Sequence, residues 1–124
     1  MKQHLLLVDD EPQIRELLSL YFQKHGYAVS TAADSNQALE TARRVKPDLA
    51  VLDIGLAEED GLKVLARLKT EHPNLRVVML TGMGFVEDLL LEAQQKGADG
   101  YVSKVLPMDE LLAAVKKLLE QPRV

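Results

Sequence analysis

Short unbroken apolar runs alternate along this chain with longer stretches in which apolar residues recur at helical spacing. Three of the runs cover residues 5–8, 49–52 and 77–80, and a polar residue follows each directly. Continuous apolar runs of this length are typical of strands in a parallel sheet that is buried on both faces. The intervening stretches repeat apolar residues every three or four positions, as one face of a helix does. The pattern predicts a doubly wound α/β domain in three layers, with helices on both sides of a parallel sheet.

Signals at the segment ends divide the chain into five strands and five helices. Pro12 suits the first turn of the first helix, and Ser35 is predicted to cap the second. Glycine or proline follows each of the first four helices, at Gly26, Pro47, Pro73 and Gly97. The first helix is predicted to bury one face made of Ile14, Leu17, Leu18, Tyr21 and Phe22. The second strand is predicted over residues 27–31 and a short fifth strand around 101–102.

Length and composition exclude several classes of protein. The 124 residues, 47% of them hydrophobic, suit one domain (1–124) with a real core, and residues 121–124 are read as a free end or the start of a linker. Cysteine is absent, which excludes disulfides and thiolate chemistry. The net charge of −4 argues against direct nucleic-acid binding. No apolar run is long enough for a membrane span or a signal peptide, so we expect a cytoplasmic protein.

Polar residues stand at the carboxyl ends of four of the predicted strands. They are Asp9 and Asp10, Asp53, Thr81 and Lys104. Because parallel strands end at the same edge of a sheet, where ligands of open α/β sheets bind, these side chains are expected to meet. Each has an ordinary explanation alone, such as a helix start for Asp10 or a solvated lysine for Lys104. Their joint placement favours a functional site.

The residue types at this edge suit phosphoryl transfer. Crowded carboxylates repel one another, and a divalent cation such as Mg²⁺ relieves the repulsion. A carboxylate also serves as a nucleophile in aspartyl-phosphate formation. Lys104 supplies a cation and Thr81 a hydroxyl for the phosphoryl oxygens, which is the charge neutralisation that such transfer needs.

With these residues the sequence resembles, over essentially its whole length, the receiver domain of bacterial two-component response regulators. The matching motifs are Val8-Asp9-Asp10-Glu11, Leu52-Asp53 followed by Asp60-Gly61, Leu80-Thr81-Gly82, and Gly97-Ala98-Asp99-Gly100-Tyr101 with Lys104. The resemblance implies a flavodoxin-like sandwich with strand order 2-1-3-4-5 and five helices.

The resemblance also implies a role for each site residue. Asp53 is the expected phosphoacceptor and Lys104 contacts the phosphoryl group and Asp53. Asp10 is expected to ligate Mg²⁺ (with Mn²⁺ as an alternative) directly, and Asp9 directly or through water. Asp53 and the backbone carbonyl of Gly55 complete the ligand set. The donor is a sensor histidine kinase or a histidine phosphotransfer protein, and the transfer is stoichiometric, so the domain is not an enzyme in the turnover sense.

The implied switch couples the site to one face of the domain. After transfer, Thr81 moves onto a phosphoryl oxygen and Tyr101 turns inward, which remodels the face made of helix 4, strand 5 and helix 5. An output domain or a second copy is the expected partner there. Met83, Phe85 and Leu91 are candidates for this partner surface, although scattered exposed apolar residues are the simpler explanation for them.

Four positions shape expectations about the site. Many receivers have proline where this chain has Ala57, which predicts a less stiff loop. Many also have a cis proline where this chain has Val105, and because a cis bond before a non-proline residue costs about 2.5–4 kcal/mol, a trans or strained bond is expected there. Gly55 and Met83 carry no group that orients a water molecule, which predicts slow hydrolysis of the acyl phosphate.

Three alternatives remain open from the sequence. A Mg²⁺-dependent phosphohydrolase of the haloacid dehalogenase type uses similar groups, but needs an acid two residues after its nucleophile, where this chain has Gly55. A flavodoxin-like cofactor binder needs a hydroxyl- and glycine-rich phosphate loop after the first strand, where this chain has acids. A degenerate receiver would serve only as an interaction module that works without phosphorylation.

Overall fold

In a computed structural model of the chain, residues 2–56, 60–82, 87–104 and 107–121 are described. The strands are β1 (His4–Val8), β2 (Ala28–Ala32), β3 (Leu49–Asp53), β4 (Arg76–Thr81) and β5 (Gly100–Ser103). The helices are α1 (Pro12–Lys24), α2 (Ser35–Val45), α3 (Gly61–Glu71), α4 (Glu87–Gln95) and α5 (Met108–Glu120). The predictions for Ala57, Met83, Phe85, Val105 and residues 122–124 lie outside the described residues.

The five strands form one parallel sheet in the order β2-β1-β3-β4-β5. Every neighbouring pair is parallel, and the order reverses at β1, which pairs with β2 on one side and β3 on the other. Both the alternation of elements and the strand order implied by the resemblance are therefore confirmed. The reversal opens a crevice at the carboxyl ends of β1 and β3, the place where ligands bind in such sheets.

Two apolar cores lie on opposite faces of this sheet. In β1, Leu6 and Val8 belong to the core beneath α2 and α3, whereas Leu5 and Leu7 belong to the core beneath α1 and α5. All four side chains are almost completely buried. Because strand side chains alternate between faces, a strand with no polar interior position must be covered on both sides. The unbroken apolar runs are explained by this double burial.

Three local predictions are wrong: the N-cap of α2, the bounds of β2 and the burial of Leu17. The N-cap of α2 is Asp34 and not Ser35, since the Asp34 carboxylate accepts a hydrogen bond from the Gln37 backbone nitrogen at 2.9 Å. The second strand begins one residue later than predicted and runs through Ala32. Leu17 was predicted to be buried, but it is 50% exposed because Leu18 and Phe22 cover the sheet and leave Leu17 at the edge of the helix.

No helix among the described residues is both long and apolar enough to cross a lipid bilayer.

Candidate functional site

The carboxyl edge of the sheet gathers the polar residues predicted from the strand ends. Asp53 and Thr81 are the last residues of β3 and β4, and Lys104 directly follows β5. Asp9 directly follows β1, where its backbone nitrogen donates to Ala32 O at 3.1 Å. Asp9, Asp53 and Thr81 are buried, with at most 3% of each residue exposed. Buried polar groups at one edge of a sheet indicate a functional centre, because each costs free energy unless it is paired.

Lys104 is the cation of this centre. Its Nζ lies 2.8 Å from Asp9 Oδ2, 3.1 Å from Asp53 Oδ2 and 3.4 Å from Glu11 Oε1. Its backbone nitrogen donates to Thr81 O at 2.6 Å, which ties the start of the loop after β5 to the end of β4. Burial alone would lower the pKa of Lys104, but the hydrogen bonds and charges of Asp9 and Asp53 outweigh burial and raise it. The ammonium is therefore fully charged at neutral pH.

Asp53 presents a carboxylate with both oxygens engaged. Oδ1 accepts from the Gly55 backbone nitrogen at 3.0 Å, and Oδ2 faces the Lys104 ammonium. Burial raises the pKa of Asp53, and the negative charge of Asp9 adds to this effect. The Gly55 hydrogen bond and Lys104 act in the opposite direction without cancelling it. Ionisation of Asp53 in this environment therefore costs free energy, and a cation bound nearby would reduce that cost.

Four acidic residues share this edge with oxygens close enough to bind one ion. Carboxylate oxygens of Asp9, Asp10, Glu11 and Asp53 all lie within 4.8 Å of one another. Asp10 is half-buried and Glu11 is exposed. Hard oxygen donors at this spacing fit a small divalent cation such as Mg²⁺. Glu11 was not predicted as a site residue, although the run of three acids after β1 was a visible signal.

A glycine after β3 supports the position of Asp53. A Cβ at Gly61 would lie 2.4 Å from Asp53 O and 2.7 Å from Ile54 Cα, which no side chain can accept without a shift of the backbone. Gly61 also donates its backbone hydrogen to Ile54 O at 3.1 Å. The first turn of α3 therefore packs directly on the chain that leaves β3. This close approach explains why the Asp60-Gly61 pair accompanies Asp53 in the sequence.

The two predicted switch residues lie on neighbouring strands. Thr81 pairs in register with Ser103, and Tyr101 pairs with Met79, two residues earlier on β4. Thr81 is completely buried, whereas Tyr101 is half-buried and packs against the core beneath α2 and α3. On α4, Leu91 is 48% exposed. Thr81 and Tyr101 therefore lie two residues apart along neighbouring paired strands.

The family of the chain is decided by comparison with known proteins. The family model of the response regulator receiver domain matches residues 5–116.

The chain belongs to the response regulator receiver family.

Relatives and solved structures agree with this assignment. The chain is 38% identical to sporulation initiation phosphotransferase F of Bacillus subtilis, over 96% of this chain and 95% of that protein. It is also 38% identical to the probable transcriptional regulatory protein TcrX of Mycobacterium tuberculosis, over 97% of this chain but only 51% of TcrX. The chain thus spans about half the length of TcrX. A CheY-like receiver from Methanospirillum hungatei superimposes with a TM-score of 0.90 at 26% identity, over 97% and 95% of the two chains.

The receiver assignment removes two of the three alternatives left by the sequence. A phosphohydrolase of the haloacid dehalogenase type and a flavodoxin-like cofactor binder both belong to other families than the one that matches nearly the whole chain. The chain is therefore a receiver domain of two-component response regulators, and a phosphoacceptor role fits its site.

Proposed function

We propose that this receiver domain accepts a phosphoryl group on Asp53 from a phosphohistidine of a sensor histidine kinase or a histidine phosphotransfer protein. The observation that carries the proposal is the Lys104 ammonium, which lies 3.1 Å from Asp53 Oδ2. It stands at the carboxyl edge of the sheet beside Asp9, Asp10, Glu11 and Asp53, which we call the acidic crevice. A buried carboxylate beside a fixed cation is a nucleophile with a counter-charge ready for the incoming phosphoryl oxygens. Response regulators are generally cytoplasmic, and we propose the same location for this domain.

The proposed step forms one bond and breaks one. A carboxylate oxygen of Asp53 attacks phosphorus, and the bond between phosphorus and the donor's imidazole nitrogen breaks with its electron pair on nitrogen. Lys104 keeps Asp53 in its carboxylate form before attack and then contacts a phosphoryl oxygen. The backbone N–H of Gly55 holds the other carboxylate oxygen at 3.0 Å and so fixes the direction of attack.

Mg²⁺, or Mn²⁺ in its place, fits the carboxylates beside Asp53. We assign Asp9, Asp10, Asp53 and the backbone carbonyl of Gly55 as the groups that would hold the ion. When bound, the ion neutralises charge on the carboxylates and on the phosphoryl group. The oxygen donors within 4.8 Å of one another support this assignment.

The proposed output is a change on the face made of α4, β5 and α5. The Thr81 hydroxyl would bind a phosphoryl oxygen, and Tyr101 would turn into the space that Thr81 leaves. Exposed Leu91 on α4 would contact an output domain or a second copy of the chain. No contact with nucleic acid or membrane is assigned to this domain itself.

Intact-mass measurement after incubation with acetyl phosphate tests the proposal. The wild type should gain one phosphoryl group in the presence of Mg²⁺ and none in the presence of a chelator. Asp53→Asn should gain none under either condition, whereas Asp88→Asn, an exposed acid in the first turn of α4, should behave as the wild type.

Two outcomes would count against the proposal in different ways. A folded wild type that binds Mg²⁺ but takes up no phosphoryl group from acetyl phosphate or from a kinase would contradict Asp53 as acceptor. If Val105→Pro then restored uptake, the fault would lie in the pose of Lys104. A protein that binds no Mg²⁺ would favour the third alternative, an interaction module that works without phosphorylation.

A further inference from the structure

Arg15 of α1 makes a contact with the acidic crevice that the phosphoacceptor chemistry does not itself require. Its guanidinium Nη1 donates to the backbone carbonyl of Asp9 at 2.7 Å. The backbone nitrogen of Arg15 donates to Glu11 O at 3.1 Å, which fixes the first turn of the helix. The side chain therefore reaches back past the start of α1 to the turn that carries the acids.

The carbonyl that Arg15 holds belongs to the peptide plane between Asp9 and Asp10. Because a peptide group is planar, fixing this oxygen also fixes the direction of the Asp10 N–H and hence the start of the Asp10 residue. The other polar groups of Asp9 are already engaged: its nitrogen with Ala32 O, its Oδ1 with the Glu11 nitrogen and its Oδ2 with Lys104. The Asp9 carbonyl that Arg15 holds therefore sets the peptide plane from which the half-buried Asp10 starts.

The position of Arg15 is unfavourable for the helix alone. The amino end of a helix carries a partial positive charge and favours acidic side chains. The first turn of α1 contains no acidic residue, and its N-cap, Glu11, makes no side-chain capping hydrogen bond. Arg15 lies four residues after Glu11, a spacing that favours a local ion pair, but the Glu11 carboxylate faces Lys104 at 3.4 Å and the Arg15 guanidinium donates to the Asp9 carbonyl. A departure from local preference beside a functional site indicates that the residue serves the site.

We propose that Arg15 is a positioning residue for the divalent cation site, acting through the Asp9 carbonyl to hold Asp10 in its ligating orientation. The inference rests on the proposed binding of Mg²⁺ by Asp9, Asp10 and Asp53. Groups that orient metal ligands without touching the metal commonly change affinity by about 10–100-fold when removed.

The sign of the effect separates this role from simple electrostatics. A cation near a Mg²⁺ site repels the ion, so removing the charge of Arg15 without any positioning role should tighten Mg²⁺ binding, by about twofold for a screened charge. A positioning role predicts the reverse, weaker binding by about tenfold. The two explanations therefore give opposite results for one variant.

Calorimetric titration of the full chain with MgCl₂ measures this difference. Arg15→Met should bind Mg²⁺ about tenfold more weakly than the wild type. Arg44→Met, the same change on the exposed carboxyl end of α2, should bind as the wild type does. Urea unfolding in chelator checks that each variant is folded at the temperature of the titration.

Arg15→Lys keeps the inference testable if Arg15→Met does not fold. Because lysine keeps the positive charge, electrostatics alone predicts an unchanged Mg²⁺ affinity. The lysine ammonium does not reproduce the contact that the guanidinium makes with the Asp9 carbonyl, so a positioning role predicts weaker Mg²⁺ binding. Affinities of the Arg15 variants equal to or tighter than that of the wild type would overturn the inference. A wild type that binds no Mg²⁺ would overturn the proposed metal site itself, and the inference with it.

Discussion

Lys104 Nζ lies 3.1 Å from Asp53 Oδ2, although 51 positions separate the two residues in the chain. The lysine follows the edge strand β5, and the aspartate ends the central strand β3. The contact spans the width of β4 and pairs the proposed nucleophile with a cation. Under the proposed function, the cation that would contact a phosphoryl oxygen therefore already lies beside Asp53.

The stability of the domain should depend on pH through Asp53. Burial raises the pKa of Asp53 in the folded state above its value in the unfolded chain. The folded state therefore binds the proton more readily, and the stabilisation from protonation is lost as pH rises through the raised pKa. At pH 7 in chelator, Asp53→Asn should be more stable than the wild type to urea, and the difference should shrink as pH falls towards the ordinary range of an aspartate. A difference that grew on acidification would contradict this linkage.

Gly61→Ala should weaken both the fold and the site. The new methyl group would stand 2.4 Å from Asp53 O, so the backbone after β3 must move. We expect a loss of roughly 2 kcal/mol in the free energy of unfolding, as for other overpacked positions, together with slower phosphoryl uptake. Urea unfolding and uptake from acetyl phosphate measure the two effects. Gly55→Ala is the matched control, since its methyl group would make only an ordinary 3.9 Å contact with Asp53 Oδ1.

Gly55→Asn should shorten the lifetime of the acyl phosphate several-fold. Glycine at this position has no side chain to hold a water molecule, whereas an asparagine amide beside Asp53 can direct one at phosphorus. The lifetime is followed by intact mass after the phosphodonor is removed. Gly55→Ala adds bulk without a hydrogen-bonding group and should leave the lifetime close to that of the wild type. Met83→Glu, at a residue outside the described part of the chain, should likewise shorten the lifetime of the acyl phosphate.

Thr81→Ala should separate phosphorylation from the switch. The variant keeps Asp53 and Lys104 and should still gain a phosphoryl group, but it lacks the hydroxyl that would bind a phosphoryl oxygen. With fluorotyrosine in place of the three tyrosines, the ¹⁹F signal of Tyr101 should shift on phosphorylation in the wild type and in Thr81→Ser, and much less in Thr81→Ala. Equal shifts in all three proteins would remove Thr81 from the switch.

Leu91→Asp should weaken self-association of the phosphorylated domain. Leu91 is 48% exposed on α4, and a charge there would oppose burial in an interface. X-ray scattering with and without phosphorylation measures the association. Leu20→Asp on α1 places the same change at a residue that is 60% exposed on another helix, and it should have no effect. Unchanged association of phosphorylated Leu91→Asp would leave Leu91 as a scattered exposed residue.

The sequence predicted the elements and the site edge because both follow from local pattern. Unbroken apolar runs require cover on both faces, and parallel strands require a common carboxyl edge, so Asp53, Thr81 and Lys104 had to meet. The order of the strands, in contrast, does not follow from local pattern. It depends on which strands pack together across the chain, and periodicity does not encode that choice, so it came from the resemblance.

The details that the sequence missed depend on backbone direction. Asp34 and Ser35 are both good caps, and only the turn after β2 decides which carboxylate or hydroxyl faces the Gln37 nitrogen. Glu11 faces Lys104 because the chain bends after Asp9, whose Oδ1 accepts the Glu11 N–H. The reach of Arg15 back to the Asp9 carbonyl has the same origin. Such contacts follow from turn geometry that composition and spacing leave open.

The position of the carboxyl end of α5 has a practical consequence for labelling the domain. Arg76, the first residue of β4, donates hydrogen bonds to the carbonyls of Leu118 and Gln121, which fastens the end of α5 at the amino edge of the sheet. Asp53 ends its strand at the other edge, about 13 Å from Leu49 along the five residues of β3. A fluorophore, an affinity tag or a sensor chip attached after Gln121 would therefore leave the acidic crevice facing the solvent. Immobilised through that end, the domain should bind the proposed phosphodonor protein as readily as the untagged domain would.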